Sequence, residues 1–130
     1  MTFSFEGIDH IQLAAPAGCE EAARSFFSGI LGWTELPKPE ALKGRGGVWF
    51  QCGRHQVHIG VQADFVPAAK AHPAFAVAGI DALREHLAKS CVATIDDDAR
   101  AGEGVVRFFA NDPFGNRLEF METGIRRFAE

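Results

Sequence analysis

The feature that most constrains this chain is a repetition in its hydrophobic pattern. Residues 8–15 alternate, with Ile11 and Leu13 on one side and His10 and Gln12 on the other, as a half-buried strand does. Pro16, Ala17 and Gly18 break that strand, and Glu20 and Glu21 stand where a helix start favours negative charge. Ala22, Ala23, Phe26, Phe27, Ile30 and Leu31 then recur at helical spacing, and Gly32 ends the helix. A short strand (33–36) and a loop rich in Pro, Gly and basic residues (37–47) follow. Strands over 47–52 and 56–61 close the half, joined by a tight turn at Gly53-Arg54.

After a linker over 63–70, interrupted by Pro67, the same order begins again. Residues 72–77 predict a strand, Asp81 an N-cap, and Leu83 and Leu87 the apolar face of a helix. Residues 92–95 predict a short strand, and Asp96, Asp97, Asp98 and Gly102 a loop. A hairpin over 105–122 closes the chain. Pro113 fixes φ in its turn, Gly115 can take positive φ, and Asn111, Asp112 and Asn116 can bond nearby backbone. The order is therefore β-α-β-β-β twice, an internal duplication within one α+β domain spanning 1–130, with modules at about 5–62 and 70–123. Its mixed β-structure carries helices on one face.

Composition narrows the function. A net charge of −4 argues against nucleic acid and anionic membranes as partners. The apolar runs are too short to span a bilayer, and no basic region followed by an apolar stretch opens the chain, so a cytoplasmic protein is expected. Cys19, Cys52 and Cys91, odd in number and far apart, fit reduced thiols. Cys52 with His55 and His58 has a zinc-like spacing, but that stretch reads better as a hairpin turn.

Strand parity singles out four residues. His10 opposes Ile11 and Leu13; His58 opposes Val57, Ile59 and Val61; His72 opposes Pro73, Phe75 and Val77; Glu119 opposes Leu118 and Phe120. If the apolar faces pack on the helices, His10, His58, His72 and Glu119 all project from the other face. His10 and His72 open the first strands of the halves, while His58 and Glu119 lie in the last. A lone strand histidine is usually structural, and His55, at a turn, and His86, on a helix, are read that way. Four matching positions are harder to assign to chance. Imidazole nitrogens with one carboxylate suit a divalent transition metal.

With these residues in view, the chain resembles the vicinal oxygen chelate superfamily, the glyoxalase, bleomycin-resistance and extradiol-dioxygenase fold. The matching features are Asp9-His10-Ile11, the helix end Phe26-Phe27 to Leu31-Gly32, His72-Pro73-Ala74-Phe75 and, most specific, Asp112-Pro113-Phe114-Gly115-Asn116-Arg117-Leu118-Glu119. The resemblance implies paired modules forming a cupped sheet and a metal held by His10, His72 and Glu119. His58 falls where glyoxalase I-like relatives often carry Glu and epimerase-like ones Gln, which leaves Glu119 as the carboxylate for proton transfer. Extradiol dioxygenases share the two-His-one-carboxylate set for Fe(II) but commonly use a Tyr, and this chain has none.

The expectation is thus a glyoxalase-like metalloenzyme acting on a small substrate with two vicinal oxygens. Its divalent metal (Zn, Ni, Mn, Co or Fe(II)) would be bound by His10, His58, His72 and Glu119, with Glu119 and His58 catalytic. Gln12, Trp49 or Phe50, Arg107 and Met121 are expected to line the site. Lys38, Lys43 and Arg45, in a loop able to close over it, would meet an anionic group or lie solvated. The rival expectations are a ligand- or drug-sequestering protein without turnover and an Fe(II) extradiol-type dioxygenase. Open sheet edges, and the habit of short relatives, suggest a homodimer.

Overall fold

The computed structural model describes residues 2–124, in two compact units, Met1–Val66 and Pro67–Glu130. In the first unit, β1 (His10–Ala15), β2 (Thr34–Leu36), β3 (Val48–Cys52) and β4 (His55–Val61) form one sheet in the order β1-β4-β3-β2. β1 runs parallel to β4, and the other pairs are antiparallel. The helix begins as α1 (Glu20–Ala23) and continues as a π-helix over Arg24–Ile30. Gly32, at φ 77°, ends it, with the Trp33 amide bonded to the Phe27 carbonyl at 3.0 Å. A 3-10 turn, Glu40–Arg45, occupies the stretch read from sequence as plain loop.

Apolar alternation decides which face of this sheet is covered. Val48, Phe50, Val57 and Ile59 are buried on one face with Phe26 and Phe27 of the helix. Phe27 meets Phe50 at 5.5 Å and Trp33 at 5.3 Å between ring centroids. Each such side chain contributes about 1.5–3 kcal/mol by leaving water. This corrects one expectation: Phe50 is a fully buried core residue against Phe27, not part of the polar face, whereas Trp49 is on that face.

The second unit repeats the plan. β5 (Ala74–Ala76), β6 (Ile95–Asp97), β7 (Val105–Asn111) and β8 (Arg117–Thr123) are ordered β5-β8-β7-β6, with β5 parallel to β8. Leu87 and Ile80 of α2 (Ile80–Lys89) are buried, as are Phe108, Leu118 and Phe120 of the sheet.

Two local readings are corrected here. α2 is capped not by Asp81 but by Glu122, whose Oε1 accepts the Gly79 and Ile80 amides at 3.1 and 2.9 Å; Asp81 instead pairs with Arg84. Asp96 and Asp97 lie inside β6 rather than in the loop after it, so that strand is displaced from 92–95 to Ile95–Asp97. Arg84 stabilises this placement by holding Asp96 at 2.9 Å and stacking over Phe108.

The fold is α+β, two four-stranded mixed sheets with few helices. No helix among the described residues is long and apolar enough to cross a membrane. Cys19, Cys52 and Cys91 are free thiols.

Candidate functional site

The polar face of the first unit is built by register. Gln12 of β1 and Trp49 of β3 both lie opposite His58 of β4, and His10 lies opposite Gln56. Cross-strand neighbours on one face are close enough for rings to meet. The His58 imidazole is in fact held between two rings, Trp49 at 3.7 Å and an interplanar angle of 3°, and His10 at 4.1 Å and 16°. Gln56 Oε1 lies 2.9 Å from His58 Nε2, so Nε2 carries the proton and Nδ1 the lone pair. Burial, with the His10 ring beside it, pushes the His58 imidazole below its ordinary pKa of 6.5, and the ring is neutral at pH 7.

His10 is the exposed member of this stack. Its Nδ1 is 2.9 Å from the Asp9 carboxylate, which fixes Nδ1 as the protonated nitrogen and leaves Nε2 bare. A carboxylate on one ring nitrogen commonly orients a histidine whose other nitrogen binds a metal.

In the second unit Glu119 lies opposite Ala74 of β5 and Phe109 of β7, and its side chain is only 5% exposed. Ala74 is small, so the carboxylate has room to meet His72, whose Nε2 is 2.9 Å from Glu119 Oε1. His72 Nδ1 is simultaneously 2.8 Å from the Lys70 carbonyl. Both ring nitrogens therefore face acceptors. A neutral imidazole has one N–H, so the second of these contacts calls for a further proton or for a cation that both groups could hold.

Arg107 shares this face through its pairing with Met121. Its Nη1 is 3.5 Å from both Glu119 oxygens, too long for a good hydrogen bond, and its Nε and Nη2 are 3.3 Å from Asp97 Oδ1. The Ala99 amide first, and Arg107 after it, hold the Asp97 carboxyl below its ordinary pKa. Arg107 and Arg117 both lie over the Phe109 ring, at 5.3 and 4.0 Å.

The four residues picked by parity thus occur as two pairs, His10 with His58 and His72 with Glu119, one in each unit. Gln12 and Trp49 stand beside the first pair, and Arg107 beside the second. Met121, two residues beyond Glu119, is half-buried on the same face. Among the described residues no group of three or more His, Cys, Asp or Glu is gathered as a metal site would require. The donor chemistry of the pairs nevertheless suits a divalent transition metal, since His10 presents a bare Nε2 and Glu119 a hard oxygen beside His72 Nε2. Sequence reasoning assigned no role to Asp9, Gln56 or Asp97. Asp9 alone carried a usable signal, its adjacency to His10.

Residues 7–120 match the glyoxalase/bleomycin resistance protein/dioxygenase superfamily. No protein of curated function is significantly similar to the chain. A crystal structure of a glyoxalase family protein from Bacillus anthracis is 54% identical, covers 95% of this chain and 99% of its own, and superposes with a TM-score of 0.91. Lactoylglutathione lyase from Agrobacterium tumefaciens (20% identity, 90% and 93% coverage, TM-score 0.70) shares the fold. So does the genomically encoded fosfomycin resistance protein of Listeria monocytogenes (18% identity, 90% and 91% coverage, TM-score 0.72).

Proposed function

Because the chain belongs to the glyoxalase/bleomycin resistance protein/dioxygenase superfamily, we propose that it is a metal-dependent enzyme acting on a small molecule with two adjacent oxygens. His10, His72 and Glu119 are the proposed ligands, with His58 as a further ligand or as the proton acceptor beside them. When bound, a divalent metal supplies Lewis acidity, polarising the substrate oxygens.

The chain's own groups divide the remaining work. Asp9 and the Lys70 carbonyl fix the tautomers of His10 and His72 so that each presents Nε2. His58, kept neutral by burial and oriented by Gln56, offers an Nδ1 lone pair to a proton. Glu119 is the only carboxylate among the four residues, and Arg107 Nη1 lies 3.5 Å from it. Gln12, Trp49 and Met121 supply contact surface for the substrate.

The observation that carries this reading is the His72 ring, whose two nitrogens both face acceptors and so demand a cation or an extra proton at Glu119. Metal content of untagged protein, followed by metal titration of wild type, Glu119→Gln and His55→Gln, tests it. About one metal per chain is expected, with Glu119→Gln binding at least tenfold more weakly and His55→Gln, an exposed residue at the start of β4, unchanged. Equal affinity in Glu119→Gln and wild type would refute the ligand assignment.

A second reading is a small-molecule binding protein without turnover. It is favoured by the lack of any three-residue ligand group among the described residues, and by Arg107, which already gives Glu119 a positive neighbour. Metal-free protein as purified, together with unaltered affinity after chelation, would select it.

A further inference from the structure

The polar face that carries His10 and His58 continues into a cleft of about 270 Å³ beside the loop leading into β3. Gln12, Trp49 and Gly60 line it from the sheet, and Lys38, Leu42 and Arg45 from the loop. In a chain of net charge −4, no carboxylate lines this cleft, yet two cations do. The cations Arg24, Lys43, Arg84, Lys89, Arg100 and Arg107 stand in ion pairs. Neither Lys38 nor Arg45 has an ion pair among the described residues.

The cleft is also built rather than incidental. The Lys38 ammonium is anchored on the Gly46 carbonyl, so its position does not depend on a ligand. The loop end is locked onto the sheet, because at Gly47 (φ 88°) a Cβ would lie 2.1 Å from the Ile59 carbonyl oxygen. Glu20 secures the same point by accepting the Gly47 amide at 2.7 Å, and that amide bond chiefly lowers the Glu20 pKa. Glu20 is therefore a charged strut for the loop. At Gly60 a Cβ would meet Gln12 Nε2 at 2.3 Å, so the Gln12 amide lies directly on bare backbone.

We propose that this cleft binds the oxyanion end, carboxylate or phosphate, of the small molecule whose reacting oxygens face His10. Arg45 offers a planar fork of donors, Lys38 a point charge, the Gln12 amide a further donor, and the Trp49 indole an apolar wall. A volume of about 270 Å³ holds such a group with a few waters, at about 30 Å³ each. The placement of the substrate rests on the metalloenzyme reading, while the anion site itself stands on the cleft alone.

Isothermal titration calorimetry tests it, with inorganic phosphate, glycolate and phosphoglycolate as anionic probes and ethylene glycol as the neutral one. Wild type, Arg45→Gln, Lys38→Met and Glu119→Gln are titrated both as purified and after dialysis against EDTA, with thermal melts to confirm folding. At least one anion should bind wild type at least tenfold more tightly than ethylene glycol, and added KCl should weaken it. Arg45→Gln should lose at least tenfold in affinity, in the EDTA-treated protein as in the protein as purified. Anions binding no better than ethylene glycol, or Arg45→Gln equal to wild type, would overturn the proposal. Neither result depends on whether Glu119→Gln still binds metal, so the two readings fail separately.

Discussion

The turn that delivers Glu119 to its place should depend on one buried carboxylate. Asp112, 5% exposed, accepts the Phe114 and Asn116 amides through Oδ1 at 2.9 and 2.8 Å, and Asn116 Nδ2 through Oδ2 at 2.8 Å. Asp112→Ala removes the acceptor of all three bonds. The Phe114 amide can find water, but Asn116 is buried, and a buried hydrogen bond lost in this way costs about 1–3 kcal/mol. The Ala variant should therefore lose about 2–4 kcal/mol, out of the roughly 5–15 kcal/mol typical of a domain.

Asp112→Asn should lose far less, about 1 kcal/mol, for a reason written in the site. Burial pushes the Asp112 carboxyl above its ordinary value of 3.8, against the pull of its hydrogen bonds. The charge is thus a burden on the folded state at neutral pH. An amide removes it and keeps Oδ1 on both backbone N–H groups, but its NH2 then faces the Asn116 Nδ2 donor, so the Asn116 amide must turn over to offer its oxygen. Urea unfolding at pH 7 measures both variants. With a slope of about 1–3 kcal/mol per molar, the Ala midpoint should fall by on the order of 1–2 M. Far-UV ellipticity is the signal to follow, since it reads the strands of both units, whereas Trp33 and Trp49 both lie in the first. An Ala variant within about 0.5 kcal/mol of wild type, or an Asn variant equally unstable, would refute the argument.

Two further expectations follow from the site and the sheets. His58 is neutral in the fold, with a pKa below 6.5, so metal-free protein should hold its full stability above pH 6.5 and lose it as pH falls from there towards the folded-state value. Urea midpoints at pH 5.5, 6.5 and 7.5 should show this slope, at most about 1.4 kcal/mol per pH unit, in wild type and less of it in His58→Phe; identical slopes would contradict it. We also expect a homodimer at micromolar concentration, because each four-stranded sheet has edge strands open to a partner; a monomer mass by light scattering would count against that.

Period-two reasoning could find the pairs because it needs only the face of a strand, and Ile11, Val57, Phe75 and Phe120 mark that face unambiguously. It could not choose between Trp49 and Phe50, since both are aromatic and the choice rests on a one-residue register set by Trp49 lying opposite His58. The face of Arg107 rests on the same kind of register, its pairing with Met121. The cap of α2 was out of reach, because Glu122 acts across 42 residues of sequence while Asp81 advertises itself locally. The π-helical stretch was hidden as well, since Phe26 and Phe27 meet the core under either helical period.

In each unit the first strand runs parallel to the last, β1 beside β4 and β5 beside β8. Residues far apart in the chain, His10 and His58 or His72 and Glu119, become lateral neighbours whatever lies between them. The intervening segments are therefore free to diverge. The first unit has a 3-10 turn and a cationic cleft before its closing hairpin, the second an acidic strand and an ion-paired arginine. A lineage built on this plan can change the middle of a module by insertion and drift and leave the paired side chains at the module's ends undisturbed.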